Sequence, residues 1–149
     1  MKNLKKLATR SVKIKLISLN AKIPIKVIET DACYDVFAVS KEDLGDGRIK
    51  YGLGFALELP EYTQLDIRPR SSIHKTGLVL SNSIGTGDED YRGEYMCIFY
   101  HIIKTLPPYE VGDRIAQIQL RNRENINFIE IDELTDTQRG SEGFGSTGY

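Results

Sequence analysis

Five polar clusters, separated by apolar runs, hold the residues whose types and spacing could do chemistry. Asp31-Ala32-Cys33-Tyr34-Asp35 offers two carboxylates. Asp31 suits an Asx-type turn, but Asp35 sits among apolar neighbours, where an unpaired carboxylate is costly. In Arg68-Pro69-Arg70-Ser71-Ser72, Arg70 and the two hydroxyls form either an anion site at a helix N-terminus or a simple serine cap. The densest cluster runs from Asn82 to Glu94, with Gly85 and Gly87 ahead of Asp88-Glu89-Asp90 and then Tyr91-Arg92-Gly93. A solvated acidic turn is the plain reading of such a run; a carboxylate that activates water is the chemical one. Gly112-Asp113-Arg114-Ile115-Ala116-Gln117 enters a strand with one polar side chain, Gln117, between apolar residues. The last cluster, residues 139–149, combines Arg139, Phe144, Ser146 and Thr147 with Gly140, Gly143, Gly145 and Gly148. Such a tail cannot fill a core and is ordinarily a solvated end. It also has the makings of a flap. Glycine permits close backbone approach, Phe144 offers a face for a flat ring, and the arginine and hydroxyls donate to anionic oxygens. A nucleobase joined to a phosphate chain fits that set.

The scaffold must be one domain, because 149 residues suffice for a single core and not for two. Hydrophobic content of 40%, charged content of 28% and no tryptophan describe a soluble globular chain. A net charge of −1 argues against nucleic-acid binding by bulk electrostatics, so any polyanion must meet a few placed cations. Cys33 and Cys97 make neither a disulfide framework nor a zinc spacing, which points to free thiols in a reducing cytoplasm. No apolar run reaches membrane-spanning length, and no membrane partner is expected. Residues 1–28 are basic and lack acidic side chains, yet Lys13 and Lys15 interrupt every candidate signal segment. Alternation over residues 12–16 and Pro24 favour a basic-faced first strand over a transit helix.

Strands are expected at residues 12–18, 23–28, 34–39, 55–59, 63–67, 96–103, 114–120 and 126–131, with a tight turn at Asp46-Gly47. The one helical candidate is short, around residues 72–75, with Gly77 as its stop. Many short strands with regular turns indicate an all-β sandwich or barrel. Its edges need covering, so oligomerisation is expected.

In order and spacing, Tyr34-Asp35, Pro69-Arg70-Ser71-Ser72, Gly85 through Asp88 to Gly93, Gly112 to Gln117, and Arg139-Gly140 with Gly143 to Gly148 closely resemble the five motifs of trimeric dUTPases. The resemblance spans residues 12–149. It implies an all-β, jelly-roll-like homotrimer in which residues 1–138 form the barrel and residues 139–149 a flexible flap. It implies hydrolysis of dUTP to dUMP and pyrophosphate with Mg²⁺. Asp88 would orient and deprotonate the attacking water; the residues alone leave Glu89 and Asp90 open as alternatives. Arg70 and Gln117 would join it in catalysis, while Ser71 and Ser72 contact phosphates. Tyr91 would pack under deoxyribose and exclude a 2′-hydroxyl. Gly85, Asn82 and the backbone at Met96 would read the uracil edge. Asp35 would hold Mg²⁺ through its waters. Phe144 would stack on uracil while Arg139, Gly145, Ser146 and Thr147 close on the phosphates. Each site would draw on three chains: the first, second and fourth motifs from one, the third from another, the tail from the last.

Three departures from the family pattern stand out. Cys33 replaces a usual glycine and is expected to strain its turn. Gly87 replaces a usual aliphatic residue before Asp88 and is expected to loosen the hairpin. Glu142 replaces a usual glycine and adds charge near the triphosphate tail. Two other functions fit part of the pattern. One is a non-catalytic or moonlighting dUTP-sensing protein, which intact Asp88, Arg70 and Gln117 disfavour. The other is a dCTP deaminase, against which the Asp88–Tyr91 loop and the aromatic tail argue.

Overall fold

A computed structural model describes residues 9–143 of the chain. It is all-β and jelly-roll-like, with ten strands, every pair of them antiparallel, and one short 3-10 helix at Ser71–Lys75. The strands are β1 (Lys13–Leu16), β2 (Tyr34–Phe37), β3 (Ser40–Gly45), β4 (Arg48–Gly52), β5 (Phe55–Glu58), β6 (Thr63–Pro69), β7 (Leu78–Leu80), β8 (Gly85–Gly87), β9 (Met96–His101) and β10 (Arg114–Asn122). One four-stranded sheet runs β2-β10-β6-β8 and another β3-β4-β9-β7, while β1 pairs with β5.

The core lies between the two larger sheets. Leu65 and Ile67 of β6 and Ile115, Ala116 and Ile118 of β10 meet Ile49 and Tyr51 of β4 and Cys97 and Phe99 of β9. Period-two alternation drives this, since each strand turns one face inward. At the centre, Tyr51 and Phe99 stack edge-on with centroids 5.8 Å apart, and Tyr51 Oη donates to the Tyr109 carbonyl at 2.9 Å. A buried phenol needs that partner.

Several strands depart from expectation. The Asp46-Gly47 turn forms with positive φ at both residues, and it is flanked by β3 and β4. The polar sequence of β3 hides a strand that exists because β4 pairs with it. Residues 23–28 make only an isolated bridge, Ile25 to Asp35, because Pro24 has no amide hydrogen for a ladder. Residues 126–131 are extended but unpaired, and Phe128 is 88% exposed. The short helix ends as expected, with Gly77 at φ +64° just beyond Thr76. Its N-cap is Arg70, and neither serine caps it.

Candidate active site

The central strand β10 assembles half of the site. It lies between β2 and β6, so Gln117 stands opposite Asp35 on one side and Arg68 on the other. Directly opposed residues on neighbouring strands share a face. A register shift between Arg114 and Ala116 turns Arg114 toward the same place. The result is a cleft of about 330 Å³ lined by Asp31, Asp35, Arg70, Ser71, Arg114 and Gln117, with Ile25 and Val27 among its apolar residues. Three clusters far apart in sequence thus converge.

Asp35 is its electrostatic hub. Arg70 donates from Nε to Oδ1 at 3.1 Å and from Nη2 to Oδ2 at 3.5 Å, while Arg114 donates from Nη1 to Oδ2 at 2.9 Å. Arg70 Nη1 also reaches Ser72 Oγ and the Arg114 carbonyl, each at 3.3 Å. Two guanidiniums share one mostly buried carboxylate, which leaves the three groups with one net positive charge, and Asp31 lines the same cleft. Gln117 Nε2 donates to the Pro69 carbonyl at 2.9 Å, which fixes its amide plane. Asp31 closes a turn by accepting from the Ile28 amide on Oδ2 at 3.0 Å; its Oδ1 has no hydrogen-bond partner among the described residues. Sequence reading passed over Arg114 and Asp31 as site residues. The signal for Arg114 was an arginine at the mouth of a strand, three residues before Gln117.

The other half is a hairpin. β8 pairs with β6 through Leu65–Gly87 and Ile67–Gly85, and the Tyr91 amide donates to the Asp88 carbonyl at 3.2 Å. The acidic triplet resolves here. Glu89 Oε2 accepts from the Tyr62 amide at 2.8 Å and from Arg123 Nη2 at 3.1 Å, and that arginine holds its carboxyl below the usual glutamate range. Glu89 is therefore an anchor. Asp88 and Asp90 are exposed, and their carboxylates make no hydrogen bond or ion pair among the described residues. Tyr91 Oη donates to the Glu94 carbonyl at 3.0 Å, and its ring lies over Gly93, where a Cβ would come within 2.6 Å of Cζ. The Asn82 amide sits against Gly85: an added Cβ there would lie 3.0 Å from Nδ2. Met96 opens β9 and is 42% exposed.

Two of the sequence departures read differently in the structure. Cys33 is not strained, since the described non-glycine residues with positive φ are Asp46, Tyr62 and Ser83. Nor is Gly87 an open flexible position, because it is buried against the Tyr95 ring. Cys97 takes no part in chemistry: burial pushes its thiol up to about 12.

The two halves lie apart within one chain. Asp88 follows the Leu65–Gly87 pair and is level with Gln64, at the opposite end of β6 from Arg70. The six extended steps from Gln64 to Arg70 span roughly 20 Å at about 3.3 Å per step. Arg139 lies beyond both, exposed, with Nε donating to the Glu142 carbonyl at 2.9 Å. Phe144, Gly145, Ser146 and Thr147 lie outside the described residues.

The chain resembles known proteins along most of its length. The dUTPase family model matches residues 19–148. A deoxyuridine 5'-triphosphate nucleotidohydrolase of Alkaliphilus metalliredigens is 37% identical over 140 residues, covering 93% of this chain and 97% of that protein. One from Rickettsia bellii is 39% identical over 141 residues, covering 90% and 92%. Among solved structures, a mutant dUTPase of Staphylococcus bacteriophage 80alpha with dUpNHpp superposes with a TM-score of 0.82 at 24% identity, covering 95% of this chain and all of that one. A mutant dUTPase from phage phi11 of S. aureus, described as coordinating a structural Mg(II) ion, gives 0.69 at 20% identity over 83% of this chain and 98% of that one.

The Glu89 anchor gives a pH test. Its lowered folded value means that its stabilisation is present at neutral pH and fades as pH falls through that value. Wild type should melt above Glu89→Gln at pH 7, and the two melting temperatures should converge in acid. Equal melting temperatures throughout would remove the anchor.

Proposed function

The chain belongs to the dUTPase family, and we propose that it hydrolyses dUTP to dUMP and pyrophosphate at a site built between copies of itself. The observation that carries this reading is the distance between the two halves. A water-activating carboxylate some 20 Å from the phosphate-binding cations cannot serve the same substrate within one chain. A second copy brings its hairpin to the first copy's cleft. A homotrimer closes this head-to-tail arrangement by rotation, giving three equal sites. Residues 124–138, which join no strand among the described residues and leave Phe128 and Leu134 exposed, suit an arm that crosses to a neighbour and carries residues 139–149 to the third chain's share of the site.

In this reading Asp88 takes a proton from water as its oxygen bonds to the α-phosphorus. The bond from that phosphorus to the bridging oxygen breaks, and pyrophosphate leaves. Arg70, Ser71 and Gln117 hold the phosphate oxygens, with Ser72 steadying Arg70. These groups act by positioning and by stabilising the charge that develops. Arg114 adds the second guanidinium. Asn82, Gly85 and the Met96 backbone read the uracil edge, and a base with the wrong donor pattern leaves buried groups unpaired. Tyr91, backed against Gly93, closes the space a 2′-hydroxyl would need. Phe144 covers the base, while Arg139, Gly145, Ser146 and Thr147 close over the phosphates.

Magnesium is the cofactor this reading implies, and the donor set fits it in one specific way. Among the described residues no group of three or more His, Cys, Asp or Glu could cage a metal. Mg²⁺ binds with few carboxylates, several waters and substrate phosphates, so a cage is not required. Asp35 Oδ1 accepts one arginine hydrogen bond and Oδ2 two, so Asp35 keeps acceptor capacity for a metal-bound water, and Asp31 Oδ1 offers a second acceptor in the same cleft. Asp35 is the outer contact of this reading, with Asp31 beside it. The ion would screen the phosphates and favour departure of pyrophosphate. The described residues contain no helix long and apolar enough to cross a membrane, and Cys33 and Cys97 are free thiols. Both fit work in the cytoplasm.

Incubation with Mg²⁺ and dUTP, dCTP or UTP, following pyrophosphate release, tests the reaction. Release from dUTP well above UTP is expected, and deamination of dCTP or inert dUTP would refute it. Asp88→Asn should bind dUTP and lose about 10²-fold or more in kcat; full activity would move the base to Asp90. Removing residues 140–149 should leave the assembly intact by sedimentation and nearly abolish turnover, and an unchanged rate would rule out the flap.

A further inference from the structure

Tyr95 is buried to 3% exposure, beneath the hairpin that carries Asp88 and Tyr91. A Cβ added at Gly87 would lie 2.6 Å from its Cε1 and 2.8 Å from its Oη, so the ring tip occupies the space a side chain at 87 would need. Its ring meets Tyr91 edge-on with centroids 5.3 Å apart at 88°, and Phe55 at 6.0 Å behind. The backbone pins it on both sides: the Tyr95 amide donates to the Phe55 carbonyl at 3.0 Å, and the Leu53 amide donates to the Tyr95 carbonyl at 3.0 Å. Its Oη is buried without a hydrogen-bond partner among the described residues. The ring itself makes the nearest approach, its Cε1 closer than its Oη to a Cβ at 87, and so spans from the entry of β9 to Gly87.

We propose that Tyr95 is a positioning residue for this site: rigidly backed by Phe55, it props Gly87 on one side and Tyr91 on the other, fixing Asp88 and the sugar-excluding ring relative to each other. Gly87 and Tyr95 are then one device. The bulk that a side chain at 87 would supply is delivered here from 95, so the glycine before Asp88 is backed by a ring. The inference rests on the dUTP-hydrolysing reading of the site. Tyr95 touches no reacting group and acts through its two neighbours.

The test is a double-mutant cycle on the full chain, with kcat, KM and the dUTP-to-UTP preference measured well below each variant's melting temperature. Tyr95→Val removes the prop and should lower kcat about 10-fold, with a loss of similar size in dUTP preference as Tyr91 loosens. Gly87→Val should do the same by pushing the ring away. The double variant G87V/Y95V moves the bulk back to 87 and should recover to within about 3-fold of wild type. Tyr95→Phe, which keeps the ring, should rescue both readouts. Where Tyr95→Val does not fold, Gly87→Ala meets the same ring and carries the same expectation. Tyr95→Val with a lowered melting temperature but wild-type kcat and preference would reduce Tyr95 to a core residue. A double variant no better than the worse single one would also overturn the coupling. Wild type inert toward dUTP would overturn the functional reading itself, and this inference with it.

Discussion

The antiparallel pairing of β6 with β8 is the constraint on which the rest of the site depends. Because the two strands run oppositely, each step along β8 from Gly85 to Asp88 moves away from Arg70. The same sheet places Asp35, Arg70, Arg114 and Gln117 around the start of β10. One register therefore builds the anion-binding half and removes the water-activating half from it. No side-chain rotation recovers roughly 20 Å of strand. On the proposed reading, assembly is then part of the chemistry.

Charge within the cleft follows the same logic. A carboxylate between two guanidiniums neutralises half their charge and holds both in place before any anion arrives. That preorganisation uses most of the acceptor capacity of Asp35, and Asp31 lines the same cleft with one carboxylate oxygen unpartnered among the described residues. A similar division governs the acidic triplet. Glu89 spends its charge on Arg123 and the Tyr62 amide, tying the hairpin to the barrel, while Asp88 stays exposed and unpaired among the described residues.

Much of this was legible in the sequence, and the parts that were not share a cause. Alternation in β6 and β10 announced an all-β chain, because burial on one face leaves a period of two. Three of the polar clusters singled out in the sequence do converge on one cleft. Pairing partners were not legible, since they depend on register: β3 is polar and exists by pairing, and the Asp35–Arg114 contact joins residues 79 positions apart. Local reading also misjudged Gly87, whose apparent looseness is answered by a ring eight residues on. Glycine reports what the backbone tolerates; the filling atoms can come from elsewhere.

Mixed assemblies test the central claim of a shared site most directly. Asp88→Asn and Gln117→Ala chains, each nearly inactive alone, would be co-expressed and the purified mixture assayed with dUTP. If Asp88 and Gln117 come from different copies, random mixing pairs an intact Asp88 with an intact Gln117 at some sites, and about a quarter of wild-type turnover should return. Activity no higher than that of the two variants assayed separately would place both residues in one chain's site and contradict the account.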